Sequence, residues 1–284
     1  MVVFALFPFL GHAQHEFSVY GGGGLSGLSY KSDAGKQKNG FGGQFGLGYR
    51  FYFTSNVGIG TGIEYAPYNA KFKADNVNSG HRATDFEDVA FDFRSSVTGY
   101  EEKQNAAFLQ IPLMLQYLTD SDQGFYVAGG FKAGIPLSGK YSSTASMLQN
   151  SGFYSEEIYE YTTQQFMGFG TFNGITSKGD LTFKTAFFLS LEAGMKFGLS
   201  GNFSLYAGAY LDYALNNAVK KPSLLLVAYN TTNPTDFTLN SVANSQYAQN
   251  GVAQSFTDKI APVAAGVKIV VAMGSRNNKY SRRR

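Results

Sequence analysis

Residues 41–53 alternate without a break. Phe41, Gly43, Phe45, Leu47, Tyr49, Phe51 and Phe53 form one set, and Gly42, Gln44, Gly46, Gly48, Arg50 and Tyr52 the other. A β-strand turns successive side chains to opposite faces, so this segment has one apolar, aromatic face and one small or polar face. The pattern recurs over residues 17–27, 57–65, 109–117, 125–137, 181–199, 203–215 and 261–273. Across these segments the apolar set contains no Asp, Glu, Lys or Arg. The other set contains eight charges: Arg50, Glu64, Lys132, Lys184, Glu192, Lys196, Asp212 and Lys268. A Lys or Arg facing lipid costs roughly 2–4 kcal/mol near the bilayer midplane, so an uncharged face on every strand is what a membrane-spanning sheet requires.

The connections carry a second regularity. Residues 54–56, 118–124 and 200–202 are short links, whereas 29–40, 66–108, 138–180 and 216–260 are long, and the two kinds alternate. Outer-membrane barrels have short periplasmic turns and longer extracellular loops. The expected fold is therefore all-β: a transmembrane antiparallel up-and-down barrel of eight strands over residues 15–273, with both ends in the periplasm. Three long extracellular loops are expected at 66–108, 138–180 and 216–260. The 34 Gly, 26 Phe and 19 Tyr agree with this, since Gly weakens helices and aromatics favour strands. No run of 18 apolar residues is present to make a membrane helix. A soluble lipid-binding barrel with its apolar face inward would need a well-charged exterior, and the alternate face is mostly Gly, Ala and Ser. At the start, the apolar run 2–10 followed by Gly11-His12-Ala13 reads as a signal peptide over residues 1–13 that lacks a basic leading region. Residues 274–284, with Lys279, Arg282, Arg283 and Arg284, read as a solvated basic periplasmic tail.

The run Phe108-Leu109-Gln110-Ile111-Pro112-Leu113-Met114-Leu115-Gln116-Tyr117 resembles a strand of the Bacteroidetes outer-membrane β-barrel group, called PorT-like or porin-family. Gly48-Tyr49-Arg50-Phe51-Tyr52-Phe53 and the Ala13-Gln14 cleavage context are similar to it as well. The resemblance spans the chain in layout and implies a Gram-negative cell envelope. It implies no single activity, because the group includes a secretion-associated protein and many of undefined role. The last strand departs from common barrel practice by closing on Met273 and not on an aromatic residue.

The eight inward charges support two readings. An eight-stranded barrel is just wide enough for side chains to fill, which favours an ion-paired plug. The alternative is a narrow, slightly basic pore for ions or small solutes with weak anion preference, given the inward glycines. On the lipid side, Phe51, Phe53, Tyr117, Phe125, Phe197 and Phe203 are expected in the periplasmic aromatic girdle, and Tyr65, Phe183 and Tyr213 toward the outer one. An enzyme is not expected. Of the three His, His15 falls at the mature terminus, and His81 falls in a long loop near Asp85, Glu87 and Asp88, a solvated setting. The chain has no Cys for a thiolate metal site, Gly21–Gly24 lack a phosphate-loop context, and a net charge of +3 does not call for nucleic acid. No cofactor is expected. Function is expected in the loops, where Phe153, Tyr154, Tyr159 and Tyr161 are candidates for an exposed aromatic binding surface. The fourth long connection, rich in Asn, Thr, Ser and Gln, reads as flexible. The role expected is a surface-loop scaffold, or a subunit of an outer-membrane complex in secretion, uptake or adhesion. Its partners would be outer-membrane lipid and outer-membrane or periplasmic proteins.

Overall fold

The computed structural model describes residues 14–120, 123–199, 202–220, 223–249 and 252–274. The expectations for residues 1–13 and 275–284 lie outside the described residues. In chain order the strands are β1 (Gln14–Ser29), β2 (Lys36–Tyr52), β3 (Val57–Thr84), β4 (Ala90–Leu118), β5 (Gln123–Tyr154), β6 (Tyr159–Tyr161), β7 (Gly170–Asp180), β8 (Ala186–Gly198), β9 (Phe203–Ala214), β10 (Leu224–Leu225), β11 (Ser245–Gln249), β12 (Val252–Ser255) and β13 (Ala261–Gly274). Eight of them close a ring, β1-β2-β3-β4-β5-β8-β9-β13, in which β13 returns to pair with β1. Every pairing around the ring is antiparallel. Closure leaves no unpaired sheet edge, the condition for a sheet to lie in lipid.

The alternation in the sequence becomes the two faces of the ring. Phe17, Leu47, Leu113, Phe131, Leu189, Leu211 and Ile269 point outward and are exposed, while Gln44, Glu64, Gln110, Lys132, Ser190, Asp212 and Lys268 are buried within. Inward glycines make room for inward aromatics. A Cβ on Gly46 would stand 2.7 Å from the Tyr20 ring, so glycine there is what lets Tyr20 lie across the lumen.

The segments 66–108 and 138–180, expected as loops, are largely strand. About 9–11 residues carry a strand across a bilayer, yet β3, β4 and β5 run for 28, 29 and 32 residues. They rise beyond the ring as a wall, to which β7 adds by pairing with β5. At one level of this wall three adjacent strands change face together. Inward positions step by three, from Ala74 to Val77, Val97 to Tyr100 and Ala145 to Leu148; β5 changes parity once more lower down, between Gly134 and Tyr141, at the bulge opposite Ala107 and Phe108. Gly99 sits at this step with φ 61°, and a Cβ on it would stand 2.6 Å from Ser146 Oγ.

The expected strand 181–199 is also broken. Residues 181–185 leave the ladder, with Phe183 bridged to Val219, and the strand resumes at Ala186. The fourth long connection, expected as flexible, carries the small sheet β10-β11-β12 and packs apolar residues on the inner face of the wall. The signal for this was Leu224-Leu225-Leu226-Val227, of which Leu226 and Val227 are fully buried.

Candidate functional site

Within the membrane-spanning part, the lumen is filled by two ion-pair clusters, one above the other. Near the periplasmic end, Glu16 Oε1 accepts from Arg50 at 2.8 Å, Glu16 Oε2 accepts from the Tyr206 hydroxyl at 2.9 Å, and Lys196 lies 3.9 Å away. Tyr206 meets Tyr52 at 3.1 Å, and Gln116 donates to Tyr52 at 3.1 Å. Higher up, Lys268 donates to Glu192 at 2.6 Å and lies 3.9 Å from Glu64. Lys132 Nζ then donates to Glu64 and Asp212, each at 2.9 Å, and Ser190 donates to the other Asp212 oxygen. Gln44, with its amide oriented to donate, bridges Glu64 at 2.9 Å and Asp212 at 3.2 Å.

The charges in these clusters balance. Arg50, Lys132, Lys196 and Lys268 face Glu16, Glu64, Glu192 and Asp212. Sequence reasoning missed Glu16, because the first alternating segment begins at Phe17; its even position pointed inward all the same. Sequence reasoning also placed Lys184 in the lumen, and this is corrected. Lys184 is exposed, because the break at residues 181–185 removes it from the inward parity of β8. Exchanging Lys184 for Glu16 turns a basic set into a neutral one.

Above the ion pairs the lumen becomes apolar. Tyr68 stacks on Phe188 with ring centroids 6.0 Å apart and meets Phe108 edge-on at 5.7 Å. Beyond them Phe72, Phe91, Phe93, Val97, Leu148 and Phe169 pack with Leu226, Val227, Leu239 and Val242 of the fourth connection. One carboxylate is buried here. Glu102 accepts from Tyr100 at 2.5 Å, Gln104 at 2.7 Å and the Val242 backbone at 3.0 Å, and also from Ser241. Burial raises its carboxyl above the usual range, and these hydrogen bonds offset part of the rise.

The remaining expected residues fall as follows. Phe53, Tyr117, Phe125, Phe203 and Tyr213 are exposed on the lipid face, and Phe51, Tyr65 and Phe197 are half-buried there. Phe183 is corrected. It is buried inside against Phe108, with centroids 5.7 Å apart, since the break at 181–185 reverses its parity. Tyr154 is corrected as well. β5 continues through it as strand and places it inward, where it stacks on Phe91 at 5.0 Å and donates to Asp85 at 2.9 Å. The other loop aromatics remain at the tip: Tyr159 is exposed and meets Tyr161 edge-on at 4.8 Å, and Phe153 lies under the Arg94 guanidinium at 4.8 Å. Arg94 in turn pairs with Glu160 at 3.3 Å. His81 sits against Phe93 and accepts weakly from the Tyr229 backbone at 3.4 Å; burial lowers its pKa. Among the described residues no group of three or more His, Cys, Asp or Glu is placed to hold a metal.

A closed antiparallel ring that is apolar and uncharged outside and ion-paired inside defines an outer-membrane β-barrel, and the outer membrane is where this protein resides. The chain belongs to the family described as outer membrane protein beta-barrel domain, which matches residues 12–219. No curated protein matches it. Among solved structures it is similar to Neisserial surface protein A (9% identity, 92% of this chain and 95% of that one, TM-score 0.32). OprG from Pseudomonas aeruginosa is similar at 11% identity (93% and 95%, TM-score 0.36). Ail of Yersinia pestis, solved with the heparin analogue sucrose octasulfate, is similar at 12% identity (93% and 99%, TM-score 0.30). Likeness at this level carries no functional argument.

Proposed function

We propose that this barrel is a surface scaffold rather than a channel. It anchors the β3-β4-β5-β7 wall and presents the tip of that wall to a protein or glycan partner, as a subunit of an outer-membrane complex in secretion, uptake or adhesion. The resemblance to the PorT-like group fits such a role. The observation that carries the reading is the double filling of the lumen: a charge-balanced ion-pair plug in the membrane, capped by an apolar core above it. Permeation would have to break several buried ion pairs, each held at several kcal/mol once one partner is withdrawn. The groups at the tip, exposed Tyr159, half-buried Tyr161 and the Arg94–Glu160 pair over Phe153, supply aromatic area and charge suited to recognition.

Planar-bilayer recording of the refolded full chain tests this. The expected result is a silent barrel; a steady unitary conductance would overturn the scaffold reading in favour of a narrow pore.

A further inference from the structure

The outer face of β2, β3 and β4 carries a lattice of lysines just above the lipid band. Lys38 lies directly opposite Lys71, and Lys71 directly opposite Lys103, so three like charges occupy neighbouring places on three adjacent strands. One row further out, Lys36 lies opposite Lys73, and Lys73 opposite Glu101. All five lysines are exposed. Lys73 pairs with Glu101, whose carboxyl is held below the usual range by Lys73 first, with Lys71 and Lys103 adding to it. A second carboxylate, Asp75, lines a surface groove of about 470 Å³ together with Lys36, Lys38, Lys71 and Lys73.

Neighbouring strands stand about 4.8 Å apart, and like charges directly opposite each other destabilise a sheet. The strands tolerate this arrangement at a site where one carboxylate pairs with one of five ammonium groups. The repulsion is relieved if anions occupy the lattice.

Its height identifies the anions. Phe41 is an exposed apolar residue at the outer end of β2, and Asn69 donates to its carbonyl at 3.1 Å. Lys38 is three residues further along β2 and Lys71 two residues beyond Asn69, a rise of roughly 7–10 Å along the strand. The interfacial region of each leaflet is about 5–8 Å deep, and strand tilt together with flexible lysine stems brings the ammonium groups into it. Compact ammonium groups suit phosphate as point charges. We propose that Lys36, Lys38, Lys71, Lys73 and Lys103 bind the phosphate groups of lipid headgroups in the outer leaflet. This site is independent of whether the lumen conducts, and it takes the wall to face outward.

The test uses the full chain in phosphatidylcholine nanodiscs doped with bis-phosphorylated lipid A or with the same lipid dephosphorylated, and reads retained lipid by native mass spectrometry. Wild type is expected to retain the phosphorylated form preferentially, and the preference is expected to weaken with added salt. Each of Lys38→Gln, Lys71→Gln and Lys103→Gln is expected to lower retention about five-fold, with the heat-shifted gel mobility of the folded barrel unchanged. Equal retention of the two lipids by wild type, or undiminished preference in the triple variant, overturns the proposal. If the triple variant does not fold, the single Lys71→Gln variant and the salt dependence of wild type decide. Displacement of the lipid by millimolar inorganic pyrophosphate would assign the site to a soluble anion and overturn the lipid assignment.

Discussion

Lys132 on β5 reaches across the lumen to Glu64 on β3, placing Nζ 2.9 Å from Oε1, with both side chains essentially out of contact with solvent. The two strands are not neighbours, since β4 runs between them. The contact therefore skips a strand and forms only when the sheet curls around the lumen, and a second bond from Lys132 to Asp212 on β9 reaches past β8 on the other side.

Withdrawing the cation leaves two buried carboxylates facing each other. Lys132→Met is expected to destabilise the barrel by about 3–5 kcal/mol, read as a shift in the urea unfolding midpoint in vesicles. Arg82→Ala, which breaks the exposed pair with Asp92, is expected to change stability by less than about 1 kcal/mol. Equal effects of the two variants would contradict a plug that depends on Lys132.

The face assignment is tested at Leu189, which is outward on β8 and opposite Phe131 and Tyr213. Leu189→Arg is expected to cost roughly 2–4 kcal/mol of membrane stability, while Leu189→Phe leaves folding intact. A folded yield of Leu189→Arg equal to wild type, measured by heat-dependent gel mobility, would reverse the faces.

Gly99 takes a left-handed conformation in the level where three strands change face. A side chain there costs about 1–2 kcal/mol of backbone strain and meets Ser146 as well. Gly99→Ala is expected to loosen the wall above residue 99 without affecting the ring. Limited proteolysis should then cut within residues 85–98 faster than in wild type, and an unchanged cleavage rate would count against the strain.

Glu102 ties the fourth connection to the wall through Ser241 and the Val242 amide. Its folded pKa is raised by burial. The folded protein therefore holds this proton more tightly than the unfolded chain does. The stabilisation is complete below the ordinary glutamate range and is lost as pH rises through the raised value. Hydrogen-exchange protection at Val242, corrected for intrinsic rates, should fall as pH rises from about 4 toward neutrality. In Glu102→Gln that dependence should vanish; its persistence would place the titrating group elsewhere.

Much of this architecture was legible from residue order. Alternation marked the eight ring strands and separated Leu189 from Ser190, because side-chain direction in a strand is set by the backbone of each residue and needs no partner. Local pattern could not foresee where a strand steps by three. Lys184 and Phe183 were assigned by counting parity, and the break at 181–185 reversed it for both; Tyr154 was placed in a loop, whereas β5 runs on to it as strand with its side chain inward.

Residue order alone thus determined that one face is fit for lipid and that charges belong to the other. Which charges meet, and in what balance, was decided by the register of neighbouring strands and by the curvature that brings more distant strands across the lumen. Glu16 joined Arg50 and Lys196, Lys184 was left outside, and Lys132 found carboxylates on β3 and β9. The height of the wall and the packing of residues 223–249 onto it were likewise tertiary. Burying Leu226 and Val227 requires an apolar inner face that exists only once β3, β4 and β5 stand side by side.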